Sequence, residues 1–302
     1  MMRLRVATRG SALARWQADH VAVLAQKAEP GLEVETVVVE TSGDRQRDVP
    51  IWELGGKGVF VKEVQAAVLE GRADVAVHSA KDLPSLTPDG LVIGAVPERA
   101  DVRDALVGSN LADLAPGATV ASGSLRRRAQ LAHARPDLRF EGLRGNIATR
   151  LARLERADVA AVVMAAAALD RLGLAERIAE RLDPDVMLPQ VGQGALAVEC
   201  RADDTDTRCL LDRIEHTPSR RAVDAERGFL AELGGDCSVP AAAHATLAGD
   251  RLRVRPTRGA ARPGVGGCGF GTLRGPPAAR RPRGRRAPGP GLMTVRPGGL
   301  RP

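Results

Sequence analysis

The residues best suited to chemistry in this chain are arginines in residues 122–150, which read SGSLRRRAQLAHARPDLRFEGLRGNIATR, with seven arginines and no lysine. Two Gly- or Ser-containing turns in this segment each precede a predicted helix, whose start offers free N–H donors and a positive dipole end. Guanidinium groups pair bidentately with carboxylates and phosphates, so the sequence predicts an anion site. We expect ligand contacts from Arg126, Arg127, Arg144 and Arg150, and a solvated face for Arg128, Arg135 and Arg139.

A second candidate lies where an apolar segment, residues 73–78, runs into Ser-Ala-Lys-Asp-Leu-Pro. Lys81 and Asp82 therefore follow a predicted buried strand. They could form a surface ion pair, which would add little stability. Alternatively, Asp82 is a carboxylate that stabilises a cation or transfers a proton in a site whose other charges are arginines.

Two further segments could contribute to an anion site. Arg9 and Ser11 follow a predicted strand, and Ser11 is a plausible helix N-cap, which predicts a ligand-facing position. The loop Gly-Gly-Lys-Gly over residues 55–58 lacks the spacing of a phosphate-binding P-loop. It is more typical of a flexible lid, from which Lys57 either reaches an anionic ligand or lies on the surface.

Cys237 is the cysteine best placed for covalent chemistry, because it lies in a tight loop after Gly234-Gly235. The other cysteines, Cys200 and Cys209 among them, lack the CxxC spacing of metal or redox sites. The five histidines are scattered without metal-ligand spacing, so no metal site is expected.

Charge is distributed unevenly along the 302 residues. Residues 251–302 hold thirteen arginines and no acidic residue, so the preceding residues carry about −6 although the total is +7. Aromatic residues make up only 2% of the chain, which leaves few stacking platforms for single-stranded nucleic acid. We therefore expect no nucleic-acid partner. No apolar run reaches membrane-spanning length, and the first residues lack a signal-peptide core, which predicts a cytoplasmic protein.

Short apolar runs alternate with segments of helical periodicity, which is the pattern of an α/β fold. The periodicity predicts strands over 4–7, 34–41, 75–78, 91–96, 119–121 and 159–164, and helices over 11–27, 59–70, 125–134 and 220–232. Such folds keep ligand groups at the carboxyl ends of their strands.

Seven blocks over about residues 3–250 resemble the porphobilinogen deaminase (hydroxymethylbilane synthase) family in order and spacing. They are ATRGSALARWQA, GGKGVFVKE, ADVAVHSAKDLP, SGSLRRRAQL, LRGNIATRL, LPQVGQGALAVECR and the Cys237 loop. The resemblance implies a transferase of porphyrin and heme biosynthesis. It would join four porphobilinogen molecules head to tail, release ammonia at each addition, and release hydroxymethylbilane by hydrolysis.

The resemblance also implies a dipyrromethane cofactor, made from two substrate units and attached through a thioether to Cys237, which acts as the primer. It gives Asp82 the catalytic role of stabilising the positive charge that develops as ammonia leaves. It assigns cofactor binding to Cys237, Lys81, Ser124, Arg126, Arg127, Arg144 and Arg150, and substrate binding to Arg9, Ser11 and Arg171. No metal is implied, and we expect a monomer.

The architecture implied by the resemblance is α/β, with two periplasmic-binding-protein-like lobes and a small third α/β domain. Domain 1 would comprise residues 1–97 and 194–212, domain 2 residues 101–188, and domain 3 residues 217–302, with hinges at 97–101 and 188–194.

Three features depart from the family pattern. Gly123 stands where a hydroxyl residue is usual, and Asp236 replaces a glycine before Cys237. This acid either disfavours the thiolate through its negative charge or alters the loop turn, and either effect should slow cofactor attachment. After about residue 250 the pattern becomes aberrant, and residues 259–302 are expected to be disordered or frameshifted. The alternative function is therefore a catalytically impaired two-lobed protein that binds anions, and a third possibility is nucleic-acid binding through the basic tail.

Overall fold

The computed structural model describes residues 3–45, 60–234, 241–249, 251–261 and 268–272. In these ranges the chain forms two five-stranded sheets and a smaller three-stranded sheet. Helices cover both large sheets, so the observed fold class is α/β with two lobes and a small third unit, as the sequence predicted. Within the described ranges, no helix is long and apolar enough to cross a membrane.

The first lobe is built on a sheet with strand order β2-β1-β3-β10-β4. Its elements are β1 (Arg3–Arg9), α1 (Ala12–Ala28), β2 (Glu33–Val39), α2 (Ser42–Arg45), α3 (Lys62–Leu69), β3 (Val75–Ser79), β4 (Leu91–Ala95), and, from later in the chain, β10 (Leu196–Arg201) and α7 (Thr205–Asp212). Successive strand residues point to opposite faces, so Val75 packs in the cluster that includes Ala18 of α1, and Ala76 in the cluster that includes Val64 of α3.

The second lobe repeats this arrangement with strand order β7-β6-β8-β5-β9. Its elements are β5 (Asp104–Val107), β6 (Thr119–Ala121), α4 (Leu125–Ala134), β7 (Arg139–Glu141), α5 (Ile147–Ala152), β8 (Ala161–Ala165), α6 (Ala166–Arg171) and β9 (Ile178–Arg181). Leu131 of α4 packs on one face of this sheet and Leu169 of α6 on the other.

One strand in each sheet reverses the direction of its neighbours. In the first lobe β10 pairs antiparallel with both β3 and β4, and in the second lobe β5 pairs antiparallel with both β8 and β9. Each of these strands directly follows a segment that crosses between the lobes: the first crossing, residues 96–103, precedes β5, and the second crossing, residues 182–195, precedes β10. The amino end of each strand therefore lies at the edge where the neighbouring parallel strands end, which is the edge that faces the other lobe.

The third unit consists of α8 (Thr217–Glu232) and an antiparallel sheet of β11 (Ala241–Ala248), β12 (Arg251–Ala261) and β13 (Cys268–Thr272). Leu230 of α8 packs on Ala243 of β11 together with Val191, which belongs to the second crossing. Arg255 of β12 also pairs with Asp185 at 2.5 Å. The third unit is thus attached to the segment that joins the two lobes.

The strands of the third unit extend further than the sequence pattern predicted. Residues 259–302 were expected to lack regular structure, yet β12 continues to Ala261 and β13 pairs with it. Ladder hydrogen bonds are made by the backbone and do not require an alternating apolar pattern, so periodicity does not reveal these strands. Residues 262–267 and 273–302 lie outside the described residues, and the predicted domain boundaries stay a prediction.

Candidate active site

The two lobes face each other across a cleft with an empty volume of about 440 Å³, part of it open to solvent. The first lobe lines it with the end of β1, the start of α1 and the turn after β3, and the second lobe with the β8–α6 junction. Five residues that the sequence singled out line this cleft: Arg9, Ser11, Lys81, Asp82 and Arg171.

The turn that carries Lys81 and Asp82 is a short 3-10 helix, Ala80–Asp82, directly after β3. The second crossing holds it in place, since Ala80 N donates to the Ala195 carbonyl at 3.0 Å and Gln190 Nε2 donates to the Lys81 carbonyl at 3.2 Å. Gly192 makes this approach possible. Its φ is +70°, and a Cβ there would lie 2.9 Å from the Ala80 carbonyl carbon.

Lys81 is surrounded by charges of both signs. Although part of its side chain is open to the cleft, desolvation lowers the pKa of the ammonium to about 8. The carboxylates of Asp82 and Asp104 oppose this shift, and the positive charges of Arg127 and Arg150 add to it. The site therefore brings together cations from three separate elements near one carboxylate that lines the cleft.

Ser124 begins α4 as its N-cap, with its hydroxyl accepting from Arg127 N at 3.5 Å. The turn before it packs tightly on the next arginine-bearing loop, because a Cβ at Gly123 would lie only 2.3 Å from the Leu143 carbonyl oxygen. The glycine that departs from the family pattern thus sits where this backbone leaves no room for a side chain.

Arg126 and Arg127 do not simply project into the cleft, as the sequence had suggested. Both are buried and share the fully buried carboxylate of Asp104, through Arg126 Nη2 at 2.7 Å and Arg127 Nε at 2.8 Å. Arg126 Nη1 also donates to the Leu188 carbonyl at 2.6 Å, and Arg127 Nη2 to Gln193 Oε1 at 3.4 Å. Two adjacent buried guanidinium groups need a carboxylate partner, and the start of β5 supplies it.

The charge state of this buried group follows from its neighbours. Burial alone would raise the pKa of Asp104, but the two guanidinium groups and the hydrogen bond from Gln193 hold the pKa below its ordinary value. Asp104 therefore stays ionised, and the cluster of Asp104, Arg126 and Arg127 carries one net positive charge behind the cleft.

Arg144 and Arg150 come from the loop before α5 and from α5 itself. Arg150 Nε donates to the Gly145 carbonyl at 2.8 Å. Desolvation lowers the pKa of Arg150 to about 10, with Arg127 and Arg144 adding to the shift and Asp82 opposing it. Arg144 Nη1 is buried and has no hydrogen-bond partner among the described residues. These two guanidinium groups retain unused donors for an anion.

Three further cleft residues come from both lobes. In the first lobe, Arg9 ends β1 and lies over the Phe60 ring, with Cζ 4.2 Å from the ring centroid. Ser11 caps α1, and its hydroxyl accepts from Ala14 N at 3.2 Å. Arg171 ends α6 and donates through Nη2 to the Gly194 carbonyl at 2.7 Å.

The three arginines assigned to a solvated face differ among themselves. Arg139 is exposed, whereas Arg128 is partly buried, with Nη2 3.5 Å from the Phe140 carbonyl. Arg135 binds Asp137 at 2.7 Å and donates to the carbonyls of Leu111 and Leu114, so it ties together the loops at the far end of the lobe.

The family models and the curated relatives agree on one family. A family model described as "Porphobilinogen deaminase, dipyromethane cofactor binding domain" matches residues 4–209, and one described as "Porphobilinogen deaminase, C-terminal domain" matches residues 221–257. A curated porphobilinogen deaminase of Nitratidesulfovibrio vulgaris is 51% identical over 253 residues, 83% of this chain and 80% of the relative. The chain belongs to the porphobilinogen deaminase family.

Another curated porphobilinogen deaminase, from Syntrophotalea carbinolica, is 50% identical over 254 residues, which cover 83% of this chain and 81% of the relative. Among solved structures, the VFT2 domain of Bordetella pertussis BvgS is 20% identical with a TM-score of 0.42, over 76% of this chain and 92% of that domain. The two lobes of this porphobilinogen deaminase family member follow from its own sheet topology.

Several predicted site residues cannot be compared with the structure. Cys237, its neighbour Asp236 and the candidate lid residue Lys57 lie outside the described residues. Their assigned roles stay predictions.

Sequence reasoning missed three residues that support the cleft from behind. Asp104 holds the buried arginines, Gln193 donates to Asp104 at 3.0 Å and to the Val102 carbonyl at 2.8 Å, and Glu226 links the third unit to the crossings. Asp104 could have been found from the sequence, because it is an acidic residue at the start of an apolar strand. Glu226 gave no signal, because an acid within a charged helix such as α8 normally lies on the solvated face.

Proposed function

We propose that the interlobe cleft is the active site at which this chain performs the deaminase reaction. The chain is a transferase of porphyrin biosynthesis that condenses four porphobilinogen molecules head to tail, with loss of ammonia, to give hydroxymethylbilane. The observation that carries the assignment to this cleft is the position of one partly exposed carboxylate, Asp82, among cations from both lobes. Neither the comparisons nor the described residues supply an observation that favours the alternative of an impaired anion-binding protein.

The family is described by its dipyrromethane cofactor. Cations that line the cleft, or lie near its Lys81 and Asp82, fit such a group. Dipyrromethane carries acetate and propionate side chains, which need cationic donors. Arg144 Nη1 is buried without a partner among the described residues, and Lys81 and Arg150 are cations held in a desolvating environment. Such groups gain most from a carboxylate ligand, because it replaces the hydration that they have lost.

We assign the cofactor carboxylates to Lys81, Ser124, Arg127, Arg144 and Arg150. Arg126 supports them indirectly, since its donors to Asp104 and Leu188 fix the start of α4. When bound, the cofactor supplies the nucleophilic pyrrole carbon to which the first substrate is joined. Attachment to the Cys237 sulfur stays part of this proposal.

Arg9 and Ser11 of the first lobe and Arg171 of the second lobe line the cleft and bind the carboxylates of the incoming porphobilinogen. Asp82 lines the same cleft. As the C–N bond of porphobilinogen breaks and ammonia leaves, positive charge spreads over the pyrrole ring. The Asp82 carboxylate accepts a hydrogen bond from the pyrrole N–H and stabilises that positive charge.

Intact mass measurement tests the cofactor assignment. The unaltered chain should carry an adduct of two pyrrole units, and Cys237→Ser should carry none. Cys209→Ser is the matched control, since Cys209 is exposed on α7 of the first lobe and should leave the adduct intact. An adduct that persists in Cys237→Ser would show that another residue is the attachment point.

Activity measurement tests the role of Asp82 separately. Asp82→Asn should keep the adduct yet convert porphobilinogen about 10²- to 10³-fold more slowly, because the amide has no negative charge to offset the developing cation. A chain that carries no adduct and converts no porphobilinogen would instead be the anion-binding alternative. The domain boundaries, cytoplasmic location and monomeric state stay predictions.

A further inference from the structure

Trp16 lies on α1 behind the cleft wall and contacts a cleft residue from the opposite lobe. The guanidinium carbon of Arg171, which ends α6, lies 5.6 Å from the centroid of the Trp16 ring. Trp16 itself is not among the residues that line the cleft. Any effect of this ring on a ligand therefore passes through Arg171.

Few other groups hold the guanidinium of Arg171 in position. Its neighbour Asp170 is occupied by Arg181, whose two terminal nitrogens lie 2.9 and 2.6 Å from the two carboxylate oxygens. Within the described residues, Arg171 forms no ion pair, and its one hydrogen bond goes to the Gly194 carbonyl. Desolvation, opposed by Asp170, lowers the pKa of Arg171 to about 10, so the group is still a cation at neutral pH.

A second ring supports Trp16 from the other side. His20 lies one helical turn further along α1, and its ring stacks on Trp16 with centroids 5.0 Å apart and an interplanar angle of 8°. Desolvation, together with the positive charges of Arg171 and Lys27, lowers the pKa of His20. His20 is therefore neutral at physiological pH, and the stack holds one cation only.

We propose that Trp16 is a positioning residue that fixes the guanidinium group of Arg171 at the cleft wall, with His20 holding the Trp16 ring in its orientation. The face of an indole ring attracts a cation, and that attraction is stronger where the cation is desolvated. Trp16 thus orders the arginine side chain before the substrate arrives, without adding a carboxylate that would compete with the substrate for it. This inference rests on the proposed role of Arg171 in binding substrate carboxylates.

Steady-state kinetics with porphobilinogen test the proposal. Trp16→Leu removes the aromatic face and should raise KM about threefold to tenfold, with a smaller change in kcat. Trp16→Phe retains a ring and should stay within about twofold of the unaltered enzyme. Val23→Ala, on the exposed side of the same helix, is the matched control and should change neither constant.

A double-mutant cycle separates positioning from general packing. In an Arg171→Leu background, Trp16→Leu should cause no further rise in KM. Additive effects, or equal losses in Trp16→Phe and Trp16→Leu, would overturn the proposal while leaving the role of Arg171 intact. If Arg171→Leu does not change KM, the inference falls with that role, whereas turnover by the unaltered enzyme would still support the proposed function.

Discussion

Arg99 and Glu226 form a two-pronged ion pair between the first crossing and the third unit. Arg99 Nη1 lies 2.8 Å from Glu226 Oε1 and Arg99 Nη2 3.0 Å from Oε2, with side-chain exposures of 8% and 0%. The same carboxylate accepts from Gly192 N of the second crossing and from Ala245 N of β11, each at 2.8 Å. One buried carboxylate thus joins both crossings to the sheet of the third unit.

Glu226→Ala should therefore lower the free energy of unfolding by about 3–5 kcal/mol, because it leaves a buried guanidinium and two buried N–H groups without their acceptor. Thermal unfolding measures the change. Asp224→Ala is the control on the same helix, since Asp224 is exposed and only pairs with Arg220. Equal shifts in the two variants would contradict a structural role for the buried carboxylate.

Gly192→Ala should reduce activity as well as stability. The added Cβ would lie 2.9 Å from the Ala80 carbonyl carbon and 3.0 Å from Lys81 N, so the turn that carries Lys81 and Asp82 has to move. A displacement of about 1 Å at a catalytic group can cost on the order of 10²-fold in rate. Porphobilinogen turnover measures this loss. Gly173→Ala, also at positive φ but with no atom within 4 Å of the added Cβ, should keep turnover and lose only stability.

The pH dependence of kcat/KM should report Lys81. Its pKa is lowered to about 8, so the ammonium is charged below that pH and neutral above it. If it binds carboxylates, kcat/KM falls as pH rises through about 8. Lys81→Arg keeps its charge and should shift the fall to higher pH. An unchanged profile in Lys81→Arg would show that another group controls it.

The same pKa shift makes a separate statement about stability. The unfolded lysine titrates near its ordinary value of 10.5. Between about pH 8 and that value the unfolded chain holds the extra proton, so the contribution of Lys81 to stability increases with pH across this window. Denaturant unfolding of the unaltered chain and Lys81→Met at several pH values measures the difference. A difference that stays constant from pH 7 to 10 would contradict the shifted pKa.

Comparing Arg126→Ala with Arg144→Ala should distinguish an arginine that stabilises the fold from one that binds a ligand. Arg126→Ala removes one partner of the buried Asp104 and should lower the free energy of unfolding by about 3 kcal/mol or more. Arg144→Ala removes a guanidinium whose Nη1 has no partner among the described residues, so stability should change by less than about 1 kcal/mol. It should weaken substrate binding or slow cofactor loading about tenfold or more. Unfolding curves, KM for porphobilinogen and cofactor loading by intact mass, measured on both variants, check the contrast, which would fail if both lost stability equally.

Much of the fold follows from local patterns in the sequence. The strand predicted over 75–78 is observed as Val75–Ser79, and the helix predicted over 125–134 is Leu125–Ala134. The helix predicted over 59–70 is shorter, Lys62–Leu69, because Phe60 and Val61 form a turn before it. Apolar periodicity and capping residues act within a few turns, so they can be read without tertiary information.

The candidate site was predictable only in part, for a topological reason. Lys81 and Asp82 were found because ligand groups lie at the carboxyl ends of parallel strands. Asp104 lies at the amino end of β5, and that end reaches the same edge only because β5 runs antiparallel to β8. The direction of a strand is set by its pairing partners, which are distant in sequence.

The sequence by itself determined the α/β pattern, the family resemblance and the identity of the charged residues that line the cleft. Only the tertiary structure decided which charges neutralise one another. It paired Arg126 and Arg127 with Asp104, occupied Asp170 with Arg181, and left Arg171 against the face of Trp16. Residue types specify charge, but distance and burial decide whether that charge meets a partner inside the protein or remains available for a ligand.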